Sequence, residues 1–249
     1  SASWRSAEGN AVLVNDALET SFQAGRLYRL TDRLTGDRLI DLDPASLPSS
    51  LVWFDAKPSN MDGWDVAQQS TDRLIRVTCR ADNGSRLNIH WRMEPGQGDL
   101  VLRMSAKTPE PVEEIRMIFP GCDIEQHRLV WCSGYGVGHV KEGPWDGILL
   151  SDPESASSPS GFPHPPIVLF EGDKRGWLIE GRDPRIGPAV AMVKGRGMDA
   201  TVGLVRRFPL GSDQPEHFEI RIRAYCDSWT HALDPFIAWM KSVGYQRIG

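Results

Sequence analysis

The segment Leu74-Ile75-Arg76-Val77-Thr78-Cys79, the turn Asp82-Asn83-Gly84 and the run Arg86-Leu87-Asn88-Ile89-His90-Trp91-Arg92-Met93 decide the fold class. In the second run Leu87, Ile89, Trp91 and Met93 alternate with Arg86, Asn88, His90 and Arg92. A period of two sends one set into a core and the other into water, the signature of a half-buried β-strand. Asn-Gly between two such runs is a strong hairpin signal. Downstream, Pro95-Gly96-Gln97-Gly98 turns the chain into a strand over 100–104, and another over 113–119 stops at Pro120-Gly121. Together these segments predict a meander of at least four antiparallel strands.

The pattern extends in both directions. Strands are expected over 11–14, 18–23, 26–30 and 38–42, separated by Asn15-Asp16, Gly25 and Thr35-Gly36-Asp37, with 51–55 and 64–68 continuing the series. Later strands are expected over 128–132, 167–171, 176–180, 189–193 and 200–206. A further strand closes the series and is the clearest of these: Phe218, Ile220, Ile222 and Ala224 alternate with Glu219, Arg221 and Arg223. So many strands without intervening helices exceed an immunoglobulin-type sandwich. They predict an all-β protein, a large two-sheet antiparallel sandwich. No fixed-length repeat stands out, which argues against a propeller or solenoid.

Two segments break the period. Residues 143–166 hold six prolines and many serines, and a loop that long is either functional or disordered. At the other exception, Asp234 can cap a helix, Pro235 fits its first turn, Phe236, Ile237, Trp239, Met240 and Val243 follow, and Gly244 stops it. Thr230 is a competing cap one turn earlier. With Tyr245 just beyond, this helix presents a surface suited to packing against something further along a longer polypeptide. The expected organisation is a ragged end over 1–10 (disordered or in part foreign), a sandwich over 11–228, and a helix with linker over 229–249.

The 249 residues are 40% hydrophobic and 24% charged, with a formal net charge of −5. A chain of that length buries a core without disulfides or metal. Acidic and basic residues are mixed along the sequence with no Lys/Arg stripe, which argues against a nucleic-acid partner. No apolar run approaches 18 residues, so no membrane-spanning segment is expected. The chain begins Ser1-Ala2-Ser3, consistent either with a removed signal peptide, hence a periplasmic or secreted protein, or with a start imposed by expression. Cys79, Cys122, Cys132 and Cys226 form no C-x-x-C and have no His at ligand spacing, so a zinc site is not expected. Cys79 and Cys226 read as buried free thiols. Neither cofactor nor metal is predicted. Asp41-Leu42-Asp43 could assist calcium, but Asp in turns ordinarily caps.

No nucleophile elbow, P-loop, H-E-x-x-H or dinucleotide fingerprint is present. Gly134-Tyr135-Gly136-Val137-Gly138 lacks the Lys-Ser/Thr ending and following helix of a phosphate loop. Among the nine tryptophans, Trp91, Trp53 and Trp131 sit in apolar runs and belong to the core. Trp64 and Trp145 stand instead among Gly, Pro and acidic residues. A loop Trp beside carboxylates can cover the C–H face of a sugar while the acids take its hydroxyls; equally, such rings can plug the ends of a sandwich. His90 and His217 point outward on strands, and His231 belongs to the helix start. His139 and His164 flank the proline-rich segment, near Glu142 and Glu171, and a His acid with a Glu base could move a proton at an anomeric centre. Glycoside hydrolysis would need two facing carboxyls, and no spacing singles out a pair.

Leu18-Glu19-Thr20-Ser21-Phe22, leading to Leu30-Thr31-Asp32-Arg33-Leu34-Thr35-Gly36, resembles the opening of galactose-mutarotase-like β-supersandwich domains. Gly176-Trp177-Leu178-Ile179-Glu180-Gly181-Arg182-Asp183-Pro184 is similar to a later strand of those domains that ends in a His- or Arg-Asp-Pro turn. The closing Asp227-Ser228-Trp229 through Trp239-Met240 resembles the helix by which they hand over to a catalytic (β/α)8 barrel in several glycoside hydrolase families. The resemblance implies a non-catalytic N-terminal domain of a carbohydrate-active enzyme, with a barrel docking on the C-terminal helix and the 143–166 loop lent to sugar binding. It adds Arg182 and Asp183 to Trp64, His139, Glu142, Trp145 and His164 as candidate substrate contacts; no catalytic residue is assigned. The alternatives are a stand-alone sugar-active enzyme using a His/Glu pair (epimerase-like or a lyase) and a carbohydrate-binding module. The epimerase motif, an Asn-His pair with a second His and a late Glu, is not matched, since His90 follows Ile89, His139 follows Gly138 and His164 follows Pro163.

Overall fold

A computed structural model describes residues 10–48, 51–54, 57–58, 65–96, 98–109, 114–123, 127–133, 136–137, 167–173, 175–182, 189–194, 200–207, 216–226 and 228–243. Trp64, Tyr135, Gly138, the loop 143–166, Gly244 and Tyr245 fall outside them, as do the side chains of Trp53, Trp131, Cys132 and His217.

The described strands form two antiparallel sheets. The first contains β1 (Asn10–Val14), β2 (Leu18–Gln23), β3 (Arg26–Asp32), β4 (Arg38–Asp41), β5 (Val52–Phe54) and β6 (Lys57–Pro58). The second begins with β7 (Asp65–Thr71), β8 (Leu74–Arg80), β9 (Arg86–Met93) and β10 (Leu100–Lys107). The chain returns to the first sheet for β11 (Glu114–Cys122), then supplies β12 (Arg128–Ser133), β13 (Gly136–Val137), β14 (Ile167–Glu171) and β15 (Gly176–Arg182) to the second. β16 (Ala189–Lys194) and β17 (Ala200–Arg207) complete the first, and β18 (Glu216–Tyr225) the second. Among the described residues each sheet has nine strands, ordered β1-β2-β3-β4-β11-β17-β16, with β5 and β6 branching off β11, and β13-β12-β14-β15-β18-β10-β9-β8-β7. The all-β sandwich expected from the alternation is the fold observed.

The core lies between the sheets. Trp91 of β9 is fully buried, with its ring centroid 5.1 Å from Phe22 of β2 and 6.5 Å from Phe119 of β11. One aromatic group thus joins both layers, in the tilted and edge-on geometries that ring quadrupoles favour. The Trp91 indole N–H donates to the Gly25 carbonyl at 3.0 Å, which satisfies its one polar atom. Gly25 sits with Ala24 in a two-residue hairpin whose central φ angles are +50° and +73°, as a primed turn requires. A Cβ on Gly25 would lie 2.2 Å from a Val77 methyl carbon, so only glycine lets this turn press against the opposite sheet.

Polar clasps hold the sandwich ends. The buried Asn15 side chain accepts from the N–H groups of Ala17 and Leu18 and donates to the carbonyls of Glu94 and Gly98. It ties the β1–β2 turn to the β9–β10 turn. The Asp32 carboxylate accepts from Leu34 N–H at 2.8 Å and from Arg175 Nε at 2.5 Å, linking the β3–β4 hairpin to the β14–β15 turn. These contacts give a physical role to the Asp within Leu30-Thr31-Asp32-Arg33-Leu34-Thr35-Gly36. Gly36 takes φ +81°.

Four sequence expectations change. The segment following β10 does not extend the meander: β18 occupies that edge of β10, and β11 crosses to the first sheet. β7 supplies the fourth meander strand at the other edge. Pro120-Gly121 does not end its strand but forms a bulge inside β11, between Phe119 paired to Val202 and Cys122 paired to Ala200. A bulge tolerates a residue without an N–H, and Gly121 takes φ +72° against Leu42. The C-terminal helix is two pieces, α1 (Trp229–Ala232) and α2 (Asp234–Ser242). Neither expected residue is its cap: Asp234 lies in the first turn of α2, behind Leu233. Cys226 is exposed because β18 ends one residue before it, whereas Cys79 and Cys122 are buried free thiols. The Asp41-Leu42-Asp43 turn is spent locally, Asp41 on Arg29 and Arg38 and Asp43 on the Ala45 N–H.

Candidate functional site

The outer face of the second sheet, beside the C-terminal helix, gathers the largest set of interacting charges among the described residues. Alternation on β15, β18 and β10 puts Ile179, Ile220, Ile222, Leu100 and Leu102 into the core. The intervening positions face outward, and the register makes Glu180 the neighbour of Arg221 and Arg182 the neighbour of Glu219. Towards β14 this outer face is apolar. Ile167, Leu169, Leu178 and Tyr225 bury Ala232 and Phe236 of the helix, with Trp229, Leu233, Trp239 and Met240 packed around them. The helix therefore spends its Phe236 side on its own sheet.

Next to that small core the charges interlock. Asp99, just before β10, accepts from Arg223 Nε at 2.6 Å and Nη2 at 3.1 Å, and from Arg221 Nη1 at 3.0 Å. Glu219 accepts from Arg103 at 2.7 Å and Arg221 at 2.8 Å. Glu180, with no exposed surface, accepts from Arg182 Nε at 2.6 Å. Arg182 in turn lies 5.6 Å from the centroid of the Trp239 ring, a cation–π distance, and Arg223 reaches the Ala232 carbonyl of α1. The lattice thus braces the helix as well as the strands.

Burial alone would raise the Asp99 carboxyl, but hydrogen bonds from Arg223 and Arg221 outweigh it and hold Asp99 below the usual range. Glu219 is likewise held low by Arg103 and Arg221 against its burial. Glu180 goes the other way: burial raises it, and Arg182 and Arg223 only partly offset that. Its second oxygen, Oε2, has no hydrogen-bond partner among the described residues. Paired in this way, Asp99 and Glu219 are held as anions in fixed geometry, an arrangement suited to rigidity more than to proton transfer.

Of the seven candidate substrate contacts, Arg182 alone is described, and it stands on this face against Glu180 and Trp239. Trp64, His139, Glu142, Trp145, His164 and Asp183 lie outside the described residues. His90 is exposed on β9 and His231 on α1, as their positions suggest. Sequence reasoning passed over His127. It is buried just before β12, with Nδ1 3.9 Å from the Asp123 carboxylate, and burial holds it below its usual range against the pull of Asp123, Asp37 and Asp32. Its polar neighbours, Glu125-Gln126 and Arg128, give no sequence signal of burial. No group of three or more metal-ligating side chains occurs among the described residues. No described helix is long and apolar enough to cross a membrane.

Two broad antiparallel sheets with a closing helix form a β-supersandwich, and this fold is similar to that of solved galactose-mutarotase-like proteins. No family model matches the sequence, and no curated protein matches it significantly. Among solved structures, the chain is similar over 95% of its length to the α-N-acetylgalactosaminidase of Bifidobacterium bifidum in complex with Gal-NHAc-DNJ, with TM-score 0.67 and 12% identity. It spans 39% of that enzyme's length. It is also similar to an aldose epimerase homologue from C. elegans, covering 89% of this chain and 100% of the other, with TM-score 0.55 and 13% identity. A third, a glycoside hydrolase family 36 α-galactosidase of Geobacillus stearothermophilus in complex with raffinose, matches 88% of this chain and 41% of the enzyme, with TM-score 0.52 and 8% identity.

Proposed function

We propose that this chain is the N-terminal, non-catalytic β-sandwich domain of a carbohydrate-active enzyme of the glycoside hydrolase type. In this reading residues 11–228 form the sandwich, and 229–249 the helix and linker leading to a catalytic barrel that docks against the helix side. The 143–166 loop, with His139, Glu142, Trp145 and His164 in or beside it, contributes to sugar binding at the barrel's rim. The observation that carries the reading is the match of 95% of the chain to 39% of the B. bifidum α-N-acetylgalactosaminidase. The TM-score of 0.67 exceeds the 0.55 found with the C. elegans homologue, whose whole length is matched. The ionic lattice supports it too, because Asp99, Glu180 and Glu219 are committed to arginines.

The test is a screen of the purified chain against galactose, N-acetylgalactosamine and their oligosaccharides, following tryptophan fluorescence for binding and released or epimerised sugar for turnover. Binding without turnover agrees with the proposal. Turnover abolished by His139→Ala or His164→Ala would make this an enzyme in its own right. That second reading, a stand-alone epimerase-like enzyme, is favoured by the end-to-end match to the C. elegans protein.

A further inference from the structure

The outer face of β8, β9 and β10 carries a second pattern, set by register alone. Core residues alternate with outward ones on each strand, so the outward positions line up across the sheet in rows of three. One row is Arg80, Arg86 and Lys107, directly opposed strand to strand. The next is Thr78, Asn88 and Ser105, and the one after it Arg76, His90 and Arg103. A last row of Leu74, Arg92 and Val101 borders the ionic lattice. No acidic side chain stands among these outward positions. The nearest acids lie around them: Asp65 opposite Arg80 on β7, Glu94 paired to Arg92, and Glu219 paired to Arg103.

Like charges in directly opposed positions destabilise a sheet. Here Arg80 opposes Arg86, Arg86 opposes Lys107, and His90 lies between Arg76 and Arg103. Burial and then the charges of Arg76 and Arg103 hold the His90 imidazole below its usual range, a sign of the positive field over this face. All six of Arg76, Arg80, Arg86, His90, Arg103 and Lys107 are exposed. Such a grouping, in a chain of net charge −5, breaks a local stability rule with acids only at its margins to offset it, which is typical of a functional surface. Between the two basic rows runs a hydrogen-bonding floor, in which Asn88 donates to Ser105 at 3.3 Å. The basic rows are four residues apart along the strands, roughly 13 Å, and the three strands span roughly 10 Å.

We propose that this face binds an anionic polysaccharide, laid across β8, β9 and β10 with its hydroxyls on the Thr78-Asn88-Ser105 floor and its acidic groups on the flanking rows. The partner's chemistry follows from the surface. The three central rows have no apolar side chain, whereas the core of a protein–protein interface is apolar and depleted in charge. No Phe, Tyr or Trp stands among these outward positions to stack a base, as single-stranded nucleic acid binding uses. The inference goes beyond the domain assignment above and does not depend on whether a barrel follows.

Affinity electrophoresis of the intact chain at 50 mM salt, with polygalacturonate, neutral dextran or oligothymidylate in the gel, tests it. Retardation is expected with polygalacturonate and not with dextran, and should disappear as salt rises. The double substitution Arg76→Glu/Arg86→Glu should weaken binding by about tenfold, since each exposed contact is modest and is turned into repulsion. Lys241→Glu, on the helix, should leave it unchanged. Should the double variant misfold, the isosteric Asn88→Asp places a repulsive charge in the floor and should show a comparable loss. Absence of retardation in a wild-type chain with native near-UV circular dichroism, or equal retardation of a folded variant, overturns the proposal. Tighter binding of oligothymidylate at equal charge would assign the face to nucleic acid instead.

Discussion

Replacing Asp99 by asparagine keeps the shape of the side chain and removes the charge on which the outer-face lattice is centred. Asp99 is 4% exposed and receives three hydrogen bonds, two from Arg223 in a bidentate pair and one from Arg221. Breaking a buried pair by deleting one partner costs about 3–5 kcal/mol. The cost here sits lower, because the arginine side chains keep 17% and 13% of their surface in water and Arg221 retains Glu219. About 2–3 kcal/mol at pH 7 is the expected loss, or roughly 6–9 °C in Tm for a domain of this size. Urea unfolding followed by tryptophan fluorescence measures it. The pH dependence carries the sign. Asp99 is depressed in the folded state, so its contribution is complete above the ordinary carboxylate range and is lost as pH falls through its lower folded value. The gap between wild type and Asp99→Asn should therefore persist at pH 5 and close only under more acid conditions. A gap below about 0.5 kcal/mol at pH 7, the scale of an exposed ion pair, would refute the view that the lattice is structurally coupled.

Other consequences are equally direct. Gly25→Ala should destabilise by about 2 kcal/mol or more, because it combines positive φ with a clash against Val77; chemical denaturation would show it. Phe236→Ala should cost about 3–4 kcal/mol, lowering the urea midpoint, since the helix loses its one deeply buried aromatic contact with the sheet. Thiol labelling of the native chain at pH 8, mapped by mass spectrometry, should modify Cys226 while sparing Cys79, whose thiol burial pushes up to about 12, and the buried Cys122. Labelling of Cys79 at the rate of Cys226 would contradict the burial of β8's inner face.

The alternation from Leu74 to Met93 was enough to read two half-buried strands, and Asn83-Gly84 enough to join them. The turn is nevertheless not a two-residue one: Gly84 donates to the Ala81 carbonyl and alone takes positive φ, at +87°. Local periodicity reports which face of a strand is buried, because burial follows side-chain alternation directly. It does not report which strand lies alongside. Strand 114–122 looks like the next member of the meander, yet its place beside β10 is taken by β18, more than a hundred residues later. That choice depends on which apolar faces fit together across the whole chain, and no local pattern encodes it.

The same division governs function. The Asp32 and Arg182 segments could be picked out in the sequence by resemblance, but not the contacts of Asp32 with Arg175 and of Arg182 with Trp239, because those are made across sheets or between a sheet and a helix. His127 offered no signal because its neighbours in sequence are polar while its neighbours in space are not solvent. Basic residues likewise appear scattered along the chain, interleaved with apolar and neutral positions on β8 and β9, and no stripe is visible. Register folds them into opposed rows on one face. By itself the sequence determined an all-β sandwich with a closing aromatic helix, since period and turn chemistry are local. Tertiary structure decided strand order, the ionic lattice and the basic face, since each is a juxtaposition of residues that only packing brings together.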